Sequence, residues 1–318
     1  MVKKSLWMGF ALGLVFSLLT FSQAAEKLQF GSAIKMSPLY YLPMLAAEEK
    51  GIWKQYGLNV EWVPFNASSA LYKAMVTGIV PYAFDTPAGS IRAASAGVPL
   101  VILSSLQNRE LFVMFVRSES PIKKPEDLKG AKIGISSFGG SSEAYSRLVA
   151  KSAGVEKEVK LVALGGISPL LAAMRTGAVD VAPQPTHLFV KMVFAGQVRP
   201  LVRVEKYVPK DWVGQLTIGQ RQTIERDPDM IGNAVKATIQ TTRFLKENSP
   251  WAINTMVSFH GLTKEMAQEV WNEYDWSTDG KINLKAVENV IKFMLDWGLV
   301  PKDKAPKVEE VFTDRFIR

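Results

Sequence analysis

A chain of 318 residues is long for one typical domain and comfortable for two. It has no cysteine, which excludes disulfides, thiolate metal sites, a cysteine nucleophile and a lipid on an N-terminal Cys, and leaves packing as the source of stability. Its formal net charge of +8 shows no block of Lys and Arg interleaved with aromatics, so it reads as solubility and excludes a nucleic-acid footprint.

Residues 1–24 read as a cleavable export signal. Lys3 and Lys4 supply the positive start, residues 6–21 are apolar and uncharged, and Ser22-Gln23-Ala24 places small residues where a signal peptidase cuts. The apolar run is short for a span of about 20 residues, and no later segment is long and apolar enough to be one. Cleavage after Ala24 is expected, giving a free protein outside the cytoplasm, most simply in a bacterial periplasm.

From there the pattern is apolar strand, polar or Gly/Pro loop, then amphipathic helix. Strands are predicted over 28–34, 58–65, 82–84 and 100–106. Helices are predicted over 39–50 after Ser37-Pro38, over 70–77, and over 89–96 after Asp85-Thr86-Pro87, with Gly51 and Gly78 ending the first two. Such alternation implies parallel pairing in an α/β sheet. An apolar run over 111–117 follows, then a strand over 131–135, the loop Ser136-Ser137-Phe138-Gly139-Gly140-Ser141-Ser142-Glu143 and a helical run from Ala144. A short strand is placed over 215–219, helices over 228–247, 250–259, 264–274 and 284–297, and a tail from Pro301.

The second half repeats the first at an offset of 99 residues: Ala74-Met75-Val76-Thr77-Gly78 aligns with Ala173-Met174-Arg175-Thr176-Gly177, and Ser69 and Leu71 with Ser168 and Leu170. One register covers loop, helix, glycine stop and strand, so two lobes of similar topology are expected. Asp85-Thr86 then corresponds to Gln184-Pro185. Two crossings, leaving near Phe115 and returning near Leu216, make a hinge and a discontinuous first lobe, 25–115 with 216–318, around a second lobe, 116–215.

Glu49-Lys50-Gly51-Ile52-Trp53 with Tyr56-Gly57-Leu58 and Val60, then Asp127-Leu128-Lys129-Gly130 before the strand at Lys132, then Gly177-Ala178-Val179-Asp180-Val181, resemble the NMT1/THI5-like substrate-binding proteins of ABC importers for nitrate, sulfonates and taurine. The resemblance covers essentially the whole mature chain. It implies a type II periplasmic-binding-protein fold, two α/β lobes on a two-crossing hinge closing on a small solute, and an ABC permease as partner. The expected solute is a sulfonate, nitrate or related organic anion, with a pyrimidine-type or amine-bearing thiamine precursor as the alternative. A monomer that is not an enzyme and has no cofactor is expected. The rivals from other classes are an enzyme or a sensor module on the same scaffold.

Ligands of open α/β sheets bind beyond the carboxyl ends of the strands, and an interlobe cleft gathers those ends from both lobes. The candidates in the first lobe are Ser37, Tyr40, Tyr41, Asn66, Ser68, Asp85 and Thr86. Those in the second are Ser137, Phe138, Gly139, Gly140, Ser141, Ser142, Gly166, Ser168, Gln184 and Thr186. The Ser136 to Glu143 loop has the glycines and helix N-terminus that hold an oxygen-rich anion, with Ser141 or Ser142 as cap; an ordinary capped turn has the same residues. It lacks the lysine of a P-loop and the spacing of a dinucleotide fingerprint. Arg109 is the best placed cation, although an arginine in a loop is often only solvated. Tyr40, Tyr41, Phe65 and Phe138 stand beside these loops and either sandwich a ligand or belong to lobe cores. Asp85 opposes an anion and favours an amine.

His187 and His260 are the only histidines and neither has metal spacing; no Gly-x-Ser-x-Gly elbow occurs. The cysteine-rich iron motif of the eukaryotic thiamine-pyrimidine synthases that share the resemblance is absent. Asp275-x-Ser277-x-Asp279-Gly280 copies the start of an EF-hand loop, but the position of the bidentate Glu is Ala286, so a polar turn is expected and no metal.

Overall fold

The computed structural model describes residues 27–318 other than Met36, and the expected export signal lies outside them. The chain runs β1 (Lys27–Ser32), α1 (Pro38–Glu49), α2 (Ile52–Gln55), β2 (Asn59–Pro64), α3 (Ser68–Val76), β3 (Tyr82–Asp85), α4 (Pro87–Ser95) and β4 (Leu100–Gln107). It then enters β5 (Phe112–Arg117), β6 (Lys132–Ile135), α5 (Ser141–Ser152), β7 (Lys160–Ala163), α6 (Ile167–Thr176), β8 (Val181–Pro185), α7 (Thr186–Phe194) and β9 (Val198–Arg203). It returns through β10 (Gln215–Gln220), α8 (Arg221–Arg226), α9 (Pro228–Glu247), α10 (Ser249–His260), α11 (Lys264–Glu273), α12 (Leu284–Asp296) and α13 (Val308–Val311). No helix among the described residues is long and apolar enough to cross a membrane.

The strands form two sheets of five, ordered β2-β1-β3-β10-β4 and β7-β6-β8-β5-β9. In the first, β1 is parallel to β2 and β3, and β10 runs antiparallel between β3 and β4. In the second, β6 is parallel to β7 and β8, and β5 runs antiparallel between β8 and β9. The orders correspond strand for strand, with β5 and β10, the strands that follow the two crossings, in the same place. The repeat extends into packing. At Gly31 of β1 a Cβ would lie 2.7 Å from Leu71 and 2.6 Å from Val80; at Gly134 of β6 it would lie 2.6 Å from Leu170 and 3.0 Å from Val179, both partners displaced by the same 99 residues. Each helix therefore approaches its strand where only glycine leaves room.

One core lies between the first sheet and α1, α9 and α10, around Phe30, Tyr82 and Val235. A second covers its other face with α3, α4 and α12, and takes in Tyr145 and Leu148 from α5. Two smaller cores cover the faces of the second sheet. Both central strands, β3 and β8, are buried along their whole length, as parallel strands covered on both sides are.

The first crossing differs from the expectation. All of β5 belongs to the second sheet, where Phe115 pairs with Ala182 and Pro200, so the chain leaves the first sheet over 108–111 and not near Phe115. The apolar run of β5 is continuous because the strand is internal, so composition alone did not mark where the crossing ended. On the return, Leu216 pairs with Asp85 and Ser105 in the first sheet. Where the two crossings meet, the Gly214 N–H donates to the Gln107 carbonyl at 3.1 Å.

Candidate functional site

Asp85 ends β3 and is fully buried. Its Oδ2 accepts from the Tyr72 hydroxyl at 3.0 Å and the Ser90 hydroxyl at 2.7 Å, while Oδ1 has no protein partner. Burial pushes its carboxyl up to about 6 against the opposing pull of Ser90, the Thr86 backbone and Tyr72. Tyr40, on the inward face of α1, stacks on Phe84 with ring centres 5.5 Å apart and donates to Gln215 Oε1 at 2.5 Å. Burial, and then the charges of Asp85 and Glu110, hold its phenol well above the usual range. The next residue turns away, as neighbours on a helix do. Tyr41 packs on Trp62, Phe259 and His260 on the outer surface, so the structure does not bring it to the other candidates.

The opposite wall is α5 with its preceding loop and the start of α7. Helix α5 starts at Ser141, three residues before Ala144, with Gly140 as N-cap and no side-chain cap. Neither serine caps it: Ser142 Oγ accepts from the Ser136 N–H at 3.2 Å, and Ser141 Oγ lies 2.5 Å from Thr86 Oγ1 of the first lobe. The Gly139 N–H of the expected anion cradle donates to Glu143 at 2.8 Å. That carboxylate also takes Arg92 of the first lobe at 2.6 Å and Arg147 at 2.9 Å. Burial opposes its ionisation, but Gly139, Arg147 and Arg92 together hold it below the usual range. Part of the cradle is therefore filled by the protein's own anion. On α7, His187 Nε2 lies 2.9 Å from Ser37 Oγ, a second buried bridge between lobes. Burial, helped by His260, pushes the His187 imidazole down to about 3, so it is neutral.

Several buried polar atoms near these bridges lack a protein partner among the described residues: Asp85 Oδ1, Gln107 Nε2, Tyr274 OH and Trp276 Nε1 from the first lobe, and Ser137 Oγ, Gln184 Nε2 and Thr186 Oγ1 from the second. Contacts connect three of them, Tyr274, Trp276 and Gln107, to one another. The Tyr274 ring lies 5.8 Å from His187 and 5.2 Å from Trp276, and Trp276 bridges to Gln107. Native proteins rarely leave buried polar groups unpaired, so each of these atoms calls for a partner from outside the chain, water or solute. The arginines at the lobe junction are committed elsewhere: Arg92 to Glu143, Arg203 to Glu273 and Arg109 to Glu205 at 3.1 Å. Arg109 is thus a paired surface residue.

The remaining candidates fall in different places. Asn66, Gly166 and Ser168 share a pocket with Lys35. Ser68 lies beside Gly140 and hydrogen-bonds Tyr72, whereas Phe138 is 54% exposed. Phe65 packs against the second core of the first sheet. Sequence reasoning missed Tyr72, Ser90, Gln107, Gln215 and Tyr274, none of which follows the strand ends of the repeat; the polar Gln107 closing an apolar strand was the available signal. Glu110, also unforeseen, is buried in the first crossing, where it accepts from Tyr145 and, at 3.2 Å, from Trp212. Burial pushes its carboxyl up to about 7.

No group of three or more His, Asp or Glu among the described residues is placed to hold a metal. In the EF-hand-like segment Ser277 Oγ accepts from the Gly280 N–H at 3.1 Å, and Asp279 from the Lys281 N–H at 3.0 Å, as in a polar turn. The buried groups without a protein partner thus include a carboxylate oxygen, amide and indole N–H donors and hydroxyls.

Comparison with known proteins agrees with this architecture. A Brucella abortus binding protein is 22% identical over 215 residues, 67% of this chain and 66% of its own length, just under two thirds of it. A Haemophilus influenzae protein named for thiamine biosynthesis is 23% identical over 310 residues, 95% of this chain and 96% of that one. Among solved structures, the alkanesulfonate-binding protein SsuA of Xanthomonas axonopodis bound to MOPS superposes with a TM-score of 0.78 at 17% identity, covering 90% of this chain and 98% of that one. The periplasmic nitrate-binding protein NrtA of Synechocystis PCC 6803 gives 0.73 at 13%, covering 92% and 87%. The desulfurization enzyme DSZB gives 0.61 at 14%, covering 92% and 97%. The fold is that of periplasmic binding proteins. The NMT1/THI5-like family model matches residues 39–250, about two thirds of the sequence, and the chain belongs to that family.

Proposed function

We propose that this protein is the periplasmic solute-binding component of an ABC importer, capturing a small solute between its lobes and presenting the closed form to a permease. The observation that carries this reading is the set of buried polar atoms without protein partners, contributed by both lobes beside the Ser37–His187 and Thr86–Ser141 contacts. We take the lobes to be 27–107 with 215–318, and 112–203, joined by the two crossings. A solute that first meets one lobe gains the partners on the other only when the lobes close, and that difference in free energy drives closure. Each buried group it satisfies relieves about 1–3 kcal/mol. The chain acts as a monomer and performs no chemistry on the solute. Native mass spectrometry of the mature protein, then a thermal-shift panel of sulfonates, nitrate, aromatic acids and pyrimidines, tests the reading: a true ligand raises the midpoint and compacts the protein in solution scattering. Turnover of a bound solute, or no compaction with any of them, would sink it.

The binding proteins among the structural neighbours support a sulfonate, nitrate or related organic anion. Asp85 Oδ1 supports a second reading, a solute that brings an N–H donor, as an amine or aminopyrimidine does. The pH dependence separates them. With the Asp85 carboxyl at about 6, an anion binds better below that pH, where the group is neutral, and an N–H donor at least as well above it.

A further inference from the structure

A pocket opens on the seam between the lobes, with His187 of the Ser37–His187 bridge and Pro38, the neighbour of Ser37, in its wall. Helix α6 contributes Ile167, Leu171 and Arg175, which fall on one face at four-residue spacing. Lys191 of α7 stands on the rim, and His260 and Leu262 close the pocket from the first lobe. Its base is apolar, with Ile167 and Leu262 buried, and its rim is cationic. Arg175 and Lys191 are exposed and make no ion pair among the described residues, unlike Arg92, Arg109 and Arg203 of the same junction. His260 Nε2 is a buried ring nitrogen without a protein partner, and Lys191 is close enough to act electrostatically on that ring. Apolar base, unpaired cations and an unpaired imidazole nitrogen together describe the complement of an amphiphilic anion.

We propose that this pocket is a second binding site, for a small carboxylate with a short hydrocarbon chain. The chain lies on Ile167, Leu171 and Leu262, and the carboxylate accepts from Lys191 and Arg175, with the His260 ring in the wall beside them. Because both lobes build the pocket, its occupancy favours the arrangement in which they touch. The assignment does not depend on which solute fills the cleft.

The test is isothermal titration of the mature chain with sodium octanoate, with octylammonium chloride as an equally apolar probe of opposite charge. One-site saturation by octanoate with a Kd below about 1 mM is expected, with none by octylammonium. The Arg175→Gln/Lys191→Gln double variant, a change of exposed charges that leaves the cores intact, is expected to weaken octanoate about tenfold or more. Asp85→Asn, in the cleft, is expected to leave octanoate binding within about twofold. Equal binding of both probes, no saturation, or an affinity untouched by the double variant would overturn the site. Loss of octanoate binding in Asp85→Asn would show that the pocket is the outer end of the cleft, which overturns its independence.

Discussion

Asp85→Asn measures what it costs to keep a carboxylate at the end of β3. The side chain is fully buried, and its carboxyl is raised from 3.8 to about 6, chiefly by loss of solvent. The folded protein therefore holds this proton more tightly than the unfolded chain does. The group's contribution to stability is greatest below pH 3.8 and is lost as the pH rises through about 6. At about 1.4 kcal/mol per pH unit, the loss is about 3 kcal/mol. Asparagine keeps an oxygen for Tyr72 and Ser90 and carries no charge. The variant should be more stable by about 1–3 kcal/mol at pH 8, the lower figure allowing for weaker hydrogen bonds to a neutral acceptor, and nearly equal to the parent at pH 4. Urea titrations of the mature protein at pH 4, 6 and 8, followed by far-ultraviolet circular dichroism, read the difference directly. A variant no more stable than the parent at pH 8, or one stabilised equally at both ends, would refute the reasoning. At pH 8 the same variant should bind an anionic solute more tightly and an N–H-donating solute more weakly, so a gain in stability with weaker binding is the trade expected of a carboxylate kept for a donor.

The other predictions concern the lobes and their contacts. Arg92→Ala removes a 2.6 Å ion pair between lobes, and small-angle scattering without added solute should show a larger radius of gyration than the parent; an unchanged radius would mean the pair does not hold the lobes together. Gly31→Ala and Gly134→Ala each drive a methyl to 2.6 Å from a buried side chain, so each should cost about 1–3 kcal/mol in denaturant titrations, with similar values expected from the symmetry of the two sites. His187, held near 3 by burial, should show no imidazole titration by NMR above pH 5. Its contribution to stability is present above 6.5 and is lost as the pH falls through the folded value, and an imidazole that titrates near 6.5 would place it in solvent. Trp276, 2% exposed with an unpaired indole N–H, should report solute binding by a change in fluorescence that disappears in Trp276→Phe.

Much of the fold could be read along the chain because its signals are local. The alternation of apolar strand and amphipathic helix, the glycine stops and the 99-residue register depend on neighbours a few positions apart, and α3, β3, α6 and β8 stand where that register placed them. Helix α9 spans the predicted 228–247 because Asp227 caps it and proline begins it. Of the strand-end candidates, Ser37, Thr86 and Ser141 make contacts between the lobes, but strand-end logic had no means of separating Tyr40 from Tyr41, which face opposite ways on one helix.

Tertiary structure decided the partners. Ser37 meets His187 across 150 positions, and Tyr40 meets Gln215 across 175. No periodicity in the chain encodes either distance. The loop from Ser136 to Glu143 was legible as strand, loop and helix start, yet only the folded geometry shows Glu143 turning back onto the Gly139 N–H and reaching Arg92 of the other lobe. The chain's own pattern determined two similar α/β lobes and the order of strands and helices within each. Which polar groups remain unpaired was decided by packing between segments far apart in sequence, because burial and hydrogen bonding are properties of the assembled surface.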